Sequence, residues 1–307
     1  MKNATVGRLV SLDFPVSAVG LRNRLVDYLA LTKPRLNLLV IATSGVGFYV
    51  GAIGGIDVAR LLHTLVGTAL VAGGAAGLNQ IYERDTDRLM HRTRMRPLPD
   101  GRLSLSEARA FSLALSSIGL AQLAFGANLL AALTALATLL VYTSVYTPMK
   151  LHTPIATLVG AVPGALPPLI GWAAARGTLS LEAWTLFAIV FCWQIPHFFA
   201  IAWLYRDDYR RAGFPMLPVI EPDGRRTGRQ TVIYAALLVL AAAAPFVAGF
   251  AGPRYLGGAL LLSLGLLTLA VRFAAERSAS RARWLFFGSL VYLPALWVLL
   301  IVNLARS

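Results

Sequence analysis

The 307-residue chain has a single cysteine, Cys192, which excludes an intrachain disulfide and any metal site built from several thiolates. Inside an apolar run, Cys192 reads as a small hydrophobic residue. Charge is scarce as well. Only 14% of residues are Asp, Glu, Lys or Arg, against about 25% in ordinary soluble domains, and 57% are apolar. A conventional water-soluble domain is thereby excluded. Acids are scarcer than bases, 14 against 28, giving a formal charge of +14. The cations are divided among loops bounded by apolar runs of about 20 residues, so the excess points to a membrane topology signal and no nucleic-acid partner is expected. The first 30 residues lack the apolar core of about 7–15 residues that a secretory signal carries, and Asp13 does not suit an acid-poor transit peptide. Residues 21–35 have the mixed pattern of an amphipathic surface helix.

What is present is a series of runs long enough to cross a hydrocarbon layer of about 30 Å. They fall near 36–54, 61–82, 110–127, 129–147, 154–175, 182–204, 231–250, 255–271 and 284–304. Backbone polar groups have no water partners in lipid, so these runs must be helices. The expected fold is all-α: a polytopic membrane bundle of about nine transmembrane helices, with residues 1–30 as an N-terminal segment and 31–307 as one membrane domain. Alternating sides along the chain collect 24 of the 28 Lys and Arg residues on one side. By the positive-inside rule that side, with the N-terminus, is cytoplasmic, and the C-terminus faces out. Trp172 and Trp184 then flank an outer loop, where aromatic anchors are expected.

Two inner loops are long and charged, after the second and sixth runs. Each contains Pro-Asp-Gly-Arg, at Pro99–Arg102 and Pro222–Arg225, some 12–14 residues after an acidic cluster. A degenerate four-helix repeat is one reading, and a favoured turn sequence is the other. Near the inner end of the second run, Asn79, Glu83 and Asp87 are spaced i, i+4, i+8, which puts three oxygen-bearing side chains on one helix face over about 12 Å. They sit at a helix C-terminus, where the macrodipole and their own repulsion disfavour negative charge, so a cation must compensate. Oxygen ligands in a row suit Mg²⁺, which takes one or two carboxylates and completes its shell with water and phosphate oxygens. Asp207 and Asp208 repeat the pattern after the sixth run. With Arg92, Arg94, Arg96 and Lys150 on the same side, the two acidic clusters can hold a diphosphate through bridging Mg²⁺ and direct pairing. A solvated loop of ordinary ion pairs is the alternative. It is disfavoured because the acids begin where the apolar run ends, and ionisable groups there are functional by default.

The sixth run carries Trp193-Gln194-Ile195-Pro196-His197, where a proline frees a carbonyl and kinks the helix. A lone histidine such as His197 is more often a hydrogen-bonded core residue than a ligand or an acid–base group. The fifth run, with Gly160, Gly164, Gly171, Pro163, Pro167 and Pro168, should be broken near its middle, lining a cavity or permitting close packing.

The tract Asn79-x3-Glu83-x3-Asp87 followed by Met90-His91-Arg92-Thr93-Arg94-Met95-Arg96-Pro97-Leu98 resembles the first signature of the UbiA-type intramembrane prenyltransferases. Tyr142 to Lys150, Gly160 to Trp172, Trp193 to Phe198 and Asp208 to Leu217 are similar to the branch of that family that farnesylates heme, and the likeness is collinear from about Ala30 onward. One departure is visible: after Lys150, where the branch commonly has another basic residue, this chain has Leu151-His152-Thr153.

The resemblance implies transfer of a farnesyl group from farnesyl diphosphate to a vinyl group of heme b, with Mg²⁺ as cofactor. Asn79, Glu83, Asp87, Asp207 and Asp208 would hold the metal, and Arg92, Arg96 and Lys150 would assist diphosphate departure. Tyr146 would stabilise the allylic cation through its ring, and His197 would contact heme. The location expected is a bacterial inner membrane or a mitochondrial one, with the N-terminal segment favouring the bacterial and the cation count placing the active site on the cytoplasmic side. A downstream heme-modifying enzyme is an expected partner. Two rivals differ in testable ways. A prenyltransferase for a quinone precursor or chlorophyllide would carry Asp at both later positions of the first motif and lack Trp-Gln-Ile-Pro-His. A transporter would place its acids at the midplane.

Overall fold

The structure, a computed structural model, describes residues 16–305. It is helical throughout, and the described residues contain no strand beyond one isolated bridge between Ala251 and Leu304. Two helices open it, α1 (Val16–Leu31) and α2 (Pro34–Gly51). Then come α3 (Val58–Tyr82), a short α4 (Arg84–Leu89), α5 (Leu105–Gly126), α6 (Leu129–Met149) and α7 (Ala156–Arg176). The last five are α8 (Leu181–Leu204), a short α9 (Arg206–Arg211), α10 (Arg225–Val247), α11 (Pro253–Glu276) and α12 (Ala279–Val302).

Among the described residues, eight helices are long and apolar enough to span a membrane, and they match the expected runs from the second to the ninth. The expected first run forms α2, only 18 residues long and opening on Pro34, Arg35 and Asn37. Its polar first turn keeps it out of that set, yet it packs between α3 and the second half of α7. The tight junction at Ala127 and Asn128 separates two real helices. Asn128 caps α6 by accepting from Ala131 N, and its Nδ2 donates to the carbonyls of Ala173 and Ala174 at 2.7 and 3.1 Å.

Helices in lipid gain nothing from excluding water between them, so close van der Waals packing of small residues sets the contacts. The α2–α7 crossing shows the limit. A Cβ on Gly171 would stand 1.8 Å from Ser44 O, and one on Gly47 would stand 2.0 Å from Pro168 O. The backbones touch directly. The break in α7 falls at Leu166, between Ala156–Ala165 and Pro167–Arg176, as the proline pattern predicts. Pro196, by contrast, is accommodated inside an unbroken α8. Trp172 is also not an interfacial anchor. It is fully buried against Phe250 with the Arg176 guanidinium over its ring, whereas Trp184 is exposed.

The inner loops are folded onto the bundle. Leu31 of α1 is buried with Leu98, Leu103 and Ala108, and Arg102 Nε donates to Asp27 Oδ1 at 2.9 Å, which ties the first Pro-Asp-Gly-Arg to α1. Both copies of that tetrapeptide are turns with glycine in the left-handed region, Gly101 at φ 79° and Gly224 at φ 69°. Both readings of the motif, a favoured turn and a degenerate repeat, share this turn geometry. Met90, Ala212 and Phe214 form a small buried cluster that joins the two loops. Through that cluster, α4 and α9 meet at one end of the bundle.

Candidate active site

The helix of α3 ends at Tyr82, and the chain restarts as α4 after Glu83, whose backbone has left helical geometry (φ −88°, ψ 4°). The i to i+4 bonds nonetheless continue through this break, Glu83 N donating to Asn79 O at 3.0 Å and Asp87 N to Glu83 O at 2.7 Å, which keeps the three residues on one side of the chain. Asn79, Glu83 and Asp87 are all buried, at 2%, 7% and 0% exposure, and each meets a cation. Lys33 Nζ donates to Asn79 Oδ1 at 3.1 Å, while Asn79 Nδ2 donates to Thr147 Oγ1 at 3.2 Å. Lys150 pairs with Glu83, and Arg96 donates to Asp87 Oδ2 at 2.7 Å. Burial disfavours the Glu83 carboxylate, but Lys150 and Lys33 outweigh it and hold its pKa below the usual carboxylate range. At Asp87 burial wins: its pKa is raised, with Glu83 adding repulsion and Arg96 only partly offsetting both.

Asp87 Oδ1 is buried without a hydrogen-bond partner among the described residues. A lone oxygen acceptor of this kind, beside Asn79 Oδ1 and the Glu83 carboxylate, fits a hard divalent cation. Among the described residues no three His, Cys, Asp or Glu side chains converge on one point. Mg²⁺ does not require that, since it takes one or two carboxylates and fills its shell from phosphate and water.

From the second loop, Asp208 comes in and Asp207 does not. Asp208 is buried, pairs with Arg211 and accepts from His91 N at 3.4 Å, so it touches the loop behind the first acids. Asp207 points outward, 70% exposed in its side chain and paired with Arg210 at 2.8 Å. Adjacent residues on a helix lie about 100° apart, so only one of the two can face the site. Arg92 lies over the rings of Tyr205 and Tyr209 and donates to Tyr209 Oη at 3.2 Å.

Tyr146 lies at the end of a π-helical segment, Val141–Tyr146, inside α6. The extra residue in this turn shifts the register of the helix beyond it, a feature frequent at functional sites. Lys150 Nζ stands 4.7 Å from the Tyr146 ring centroid, and Tyr142 packs on the same ring at 5.4 Å. The ring fits only because residue 160 is glycine: a Cβ there would lie 2.4 Å from Tyr146 Cε2.

A cavity of about 360 Å³ opens beside these rings. Lys33, Tyr142, Tyr146 and Gly160 line it, and so do Trp193, Gln194 and His197 of α8. His197 lies about 10 Å along the helix before the end of α8, between the rings of Trp193 and Phe286, each with its centroid at 5.1 Å. Polar and apolar chemistry thus share one enclosure.

Lys33, Tyr142, Thr147 and Gln194 were not singled out by sequence as site residues. Lys33 had a signal only in retrospect. It holds φ 49° and ψ 55°, a left-handed conformation that costs a residue with a side chain about 1–2 kcal/mol, and it precedes a proline. Burial is the main cause that lowers its pKa, to about 7, with repulsion from Arg96 next.

Residues 39–291 match the UbiA prenyltransferase family. The chain is 49% identical over 286 residues to the protoheme IX farnesyltransferase of Solibacter usitatus, covering 90% of this chain and 98% of that protein. It is 43% identical over 304 residues to the protein of the same name from Koribacter versatilis, with 96% and 98% covered. Among solved structures it is similar to a digeranylgeranylglyceryl phosphate synthase (TM-score 0.77, 19% identity, 92% of this chain and 98% of that one). It is similar also to a UbiA homolog from Archaeoglobus fulgidus bound to GPP and Mg²⁺ (TM-score 0.64, 19% identity, 89% and 99% covered). At that identity the solved structures bear on the fold alone.

Proposed function

Because the chain belongs to the UbiA prenyltransferase family, we propose that it transfers a farnesyl group from farnesyl diphosphate to a vinyl group of heme b. The observation that carries this reading is one cavity lined both by Lys33, which donates to Asn79 of the acidic cluster, and by His197. Lys33 beside the acidic cluster suits a diphosphate, the Tyr142 and Tyr146 rings suit an allylic chain, and the His197 imidazole suits an iron porphyrin. The match to curated heme farnesyltransferases over nine-tenths of the chain supports the same acceptor.

Asn79, Glu83, Asp87 and Asp208 would hold Mg²⁺, which supplies neutralising charge to the departing diphosphate. The buried acids are already paired with Lys150 and Arg96, so arrival of the substrate is an exchange of partners. The carboxylates would hold the metal, which would leave Lys150 and Arg96, with Arg92, free to pair with phosphate oxygens. The C–O bond to diphosphate breaks with its electron pair leaving on oxygen. Tyr146 presents its ring face to the allylic cation. The vinyl π pair then forms the new C–C bond, water adds at the resulting porphyrin-conjugated cation, and one proton is released. His197 contacts the heme as an iron ligand.

This reading places residues 1–30 and the site on the cytoplasmic face of a bacterial inner membrane, where most cations are counted, and residues 31–307 form the membrane domain. A heme-modifying enzyme would consume the product. The test is incubation of detergent-purified protein with heme b, farnesyl diphosphate and Mg²⁺, with mass spectrometry for farnesylated heme. Product that vanishes with EDTA and in Asp87→Asn supports the whole reading. Consumption of farnesyl diphosphate only with an aromatic acceptor would move the acceptor to a quinone precursor. No turnover with any acceptor in folded protein would favour transport.

A further inference from the structure

Ser289 of α12 is fully buried, and its hydroxyl makes two contacts. Oγ donates to Phe286 O at 2.6 Å and lies 2.8 Å from His197 Nδ1. A serine hydroxyl has one hydrogen. A carbonyl can only accept, so the 2.6 Å contact assigns that hydrogen to Phe286 O, and Oγ accepts from the imidazole. The opposite tautomer would leave an Nε2–H with no acceptor among the described residues, so Nδ1 is assigned the ring proton and Nε2 the lone pair. Nε2 has no hydrogen-bond partner among the described residues, and His197 lines the cavity. The ring plane is fixed too. Trp193 stacks against the imidazole at 20° and Phe286 at 26°, and Trp193 Nε1 donates to Ser289 O at 2.8 Å. Ser289 therefore sets the tautomer through its hydroxyl and helps to set the ring plane through its carbonyl.

We propose that Ser289 is a positioning residue that holds His197 in the Nδ1–H tautomer, so that Nε2 offers its lone pair to the iron of the heme substrate. The inference rests on the reading that the cavity accepts heme. With the other tautomer, Nε2 would carry a hydrogen and could not bind iron. An acceptor on Nδ1–H also makes an imidazole a stronger ligand, and losing such a partner typically weakens metal affinity by about 10- to 100-fold.

The test uses the full chain in lipid nanodiscs, titrated with heme b and followed by absorption and by the iron–histidine stretch of the ferrous complex in resonance Raman. Ser289→Ala leaves the Trp193 bond to the backbone carbonyl intact and should weaken heme binding at least tenfold and lower the stretching frequency. Ser289→Cys keeps the volume but replaces oxygen by a weak sulfur acceptor, so it should move both readouts in the same direction. A Cys variant matching the wild type in affinity and frequency would reduce Ser289 to packing and overturn the proposal. His197→Ala with an unchanged heme spectrum would overturn it as well, while farnesylated heme still made by that variant would leave the proposed function standing. Failure of the wild-type chain to bind heme would instead remove the reading beneath it.

Discussion

Replacing Gly160 by alanine tests whether the Tyr146 ring takes part in the chemistry. The added Cβ would lie 2.4 Å from the ring edge, whereas carbon atoms in contact stay about 3.5–4.0 Å apart. The ring must therefore retreat by about 1 Å or more, and it can, because one side of it borders the cavity. That movement breaks the register with Lys150 Nζ, now 4.7 Å from the ring centroid. Cation–π attraction at a desolvated site is worth about 1–2 kcal/mol, and a 1 Å misplacement near a reacting centre costs on the order of a hundredfold. We expect turnover of farnesyl diphosphate with heme b to fall roughly 10- to 100-fold, measured as initial rate by mass spectrometry. Loss of helix stability would not explain such a fall, since Gly→Ala in a helix stabilises by about 0.5–1 kcal/mol. Tyr146→Leu removes the clashing ring, so Gly160→Ala added to it should cost nothing further. Wild-type turnover in Gly160→Ala, or full additivity in the double variant, would refute a role for the ring.

Arg96→Ala strands the buried Asp87 carboxylate and should lower unfolding stability in detergent by on the order of 3 kcal/mol, read from denaturant midpoints. Asp87→Asn removes the charge instead, so it should keep the fold and lose activity by on the order of a hundredfold. Asp208→Asn should impair turnover strongly, whereas Asp207→Asn, exposed and facing away, should stay within about threefold of wild type under the same assay. Gly171→Val sets side-chain carbon against Ser44 O, a backbone atom that cannot yield, and should destabilise by at least about 3 kcal/mol in thermal unfolding of the purified protein.

The spans were legible because lipid imposes one rule on every segment: about 20 apolar residues, helical throughout. The break in α7 was legible for a local reason, since Pro167 and Pro168 cannot continue the hydrogen-bond ladder of the preceding residues. The acids at 79, 83 and 87 were legible from their i, i+4, i+8 spacing, since the backbone bonds from Glu83 N to Asn79 O and from Asp87 N to Glu83 O persist although the helix assignment changes at Glu83; their cationic partners were not. Asp207 and Asp208 could not be separated by composition, because their different exposures depend on the phase of α9, a helix of only 6 residues.

What sequence could not reach is long-range pairing. Lys33 stands 46 positions from Asn79, and Ser289 stands 92 from His197. Neither partner advertises the other: a lysine before a proline and a serine in an apolar helix are ordinary residues, and serine in a membrane helix usually bonds its own backbone. Ser289 does that too, giving its hydrogen to Phe286 O. It is that local bond, satisfied within α12, that converts the hydroxyl into an acceptor for a different helix. A polar group in lipid is expensive unless every hydrogen and lone pair is used. Here the imidazole, the hydroxyl and the carbonyl are chained, and Nε2 is the ring nitrogen left without a partner among the described residues. The leftover nitrogen is then the informative one, because His197 lines the cavity in which, on the proposed reading, the iron of heme supplies the missing partner.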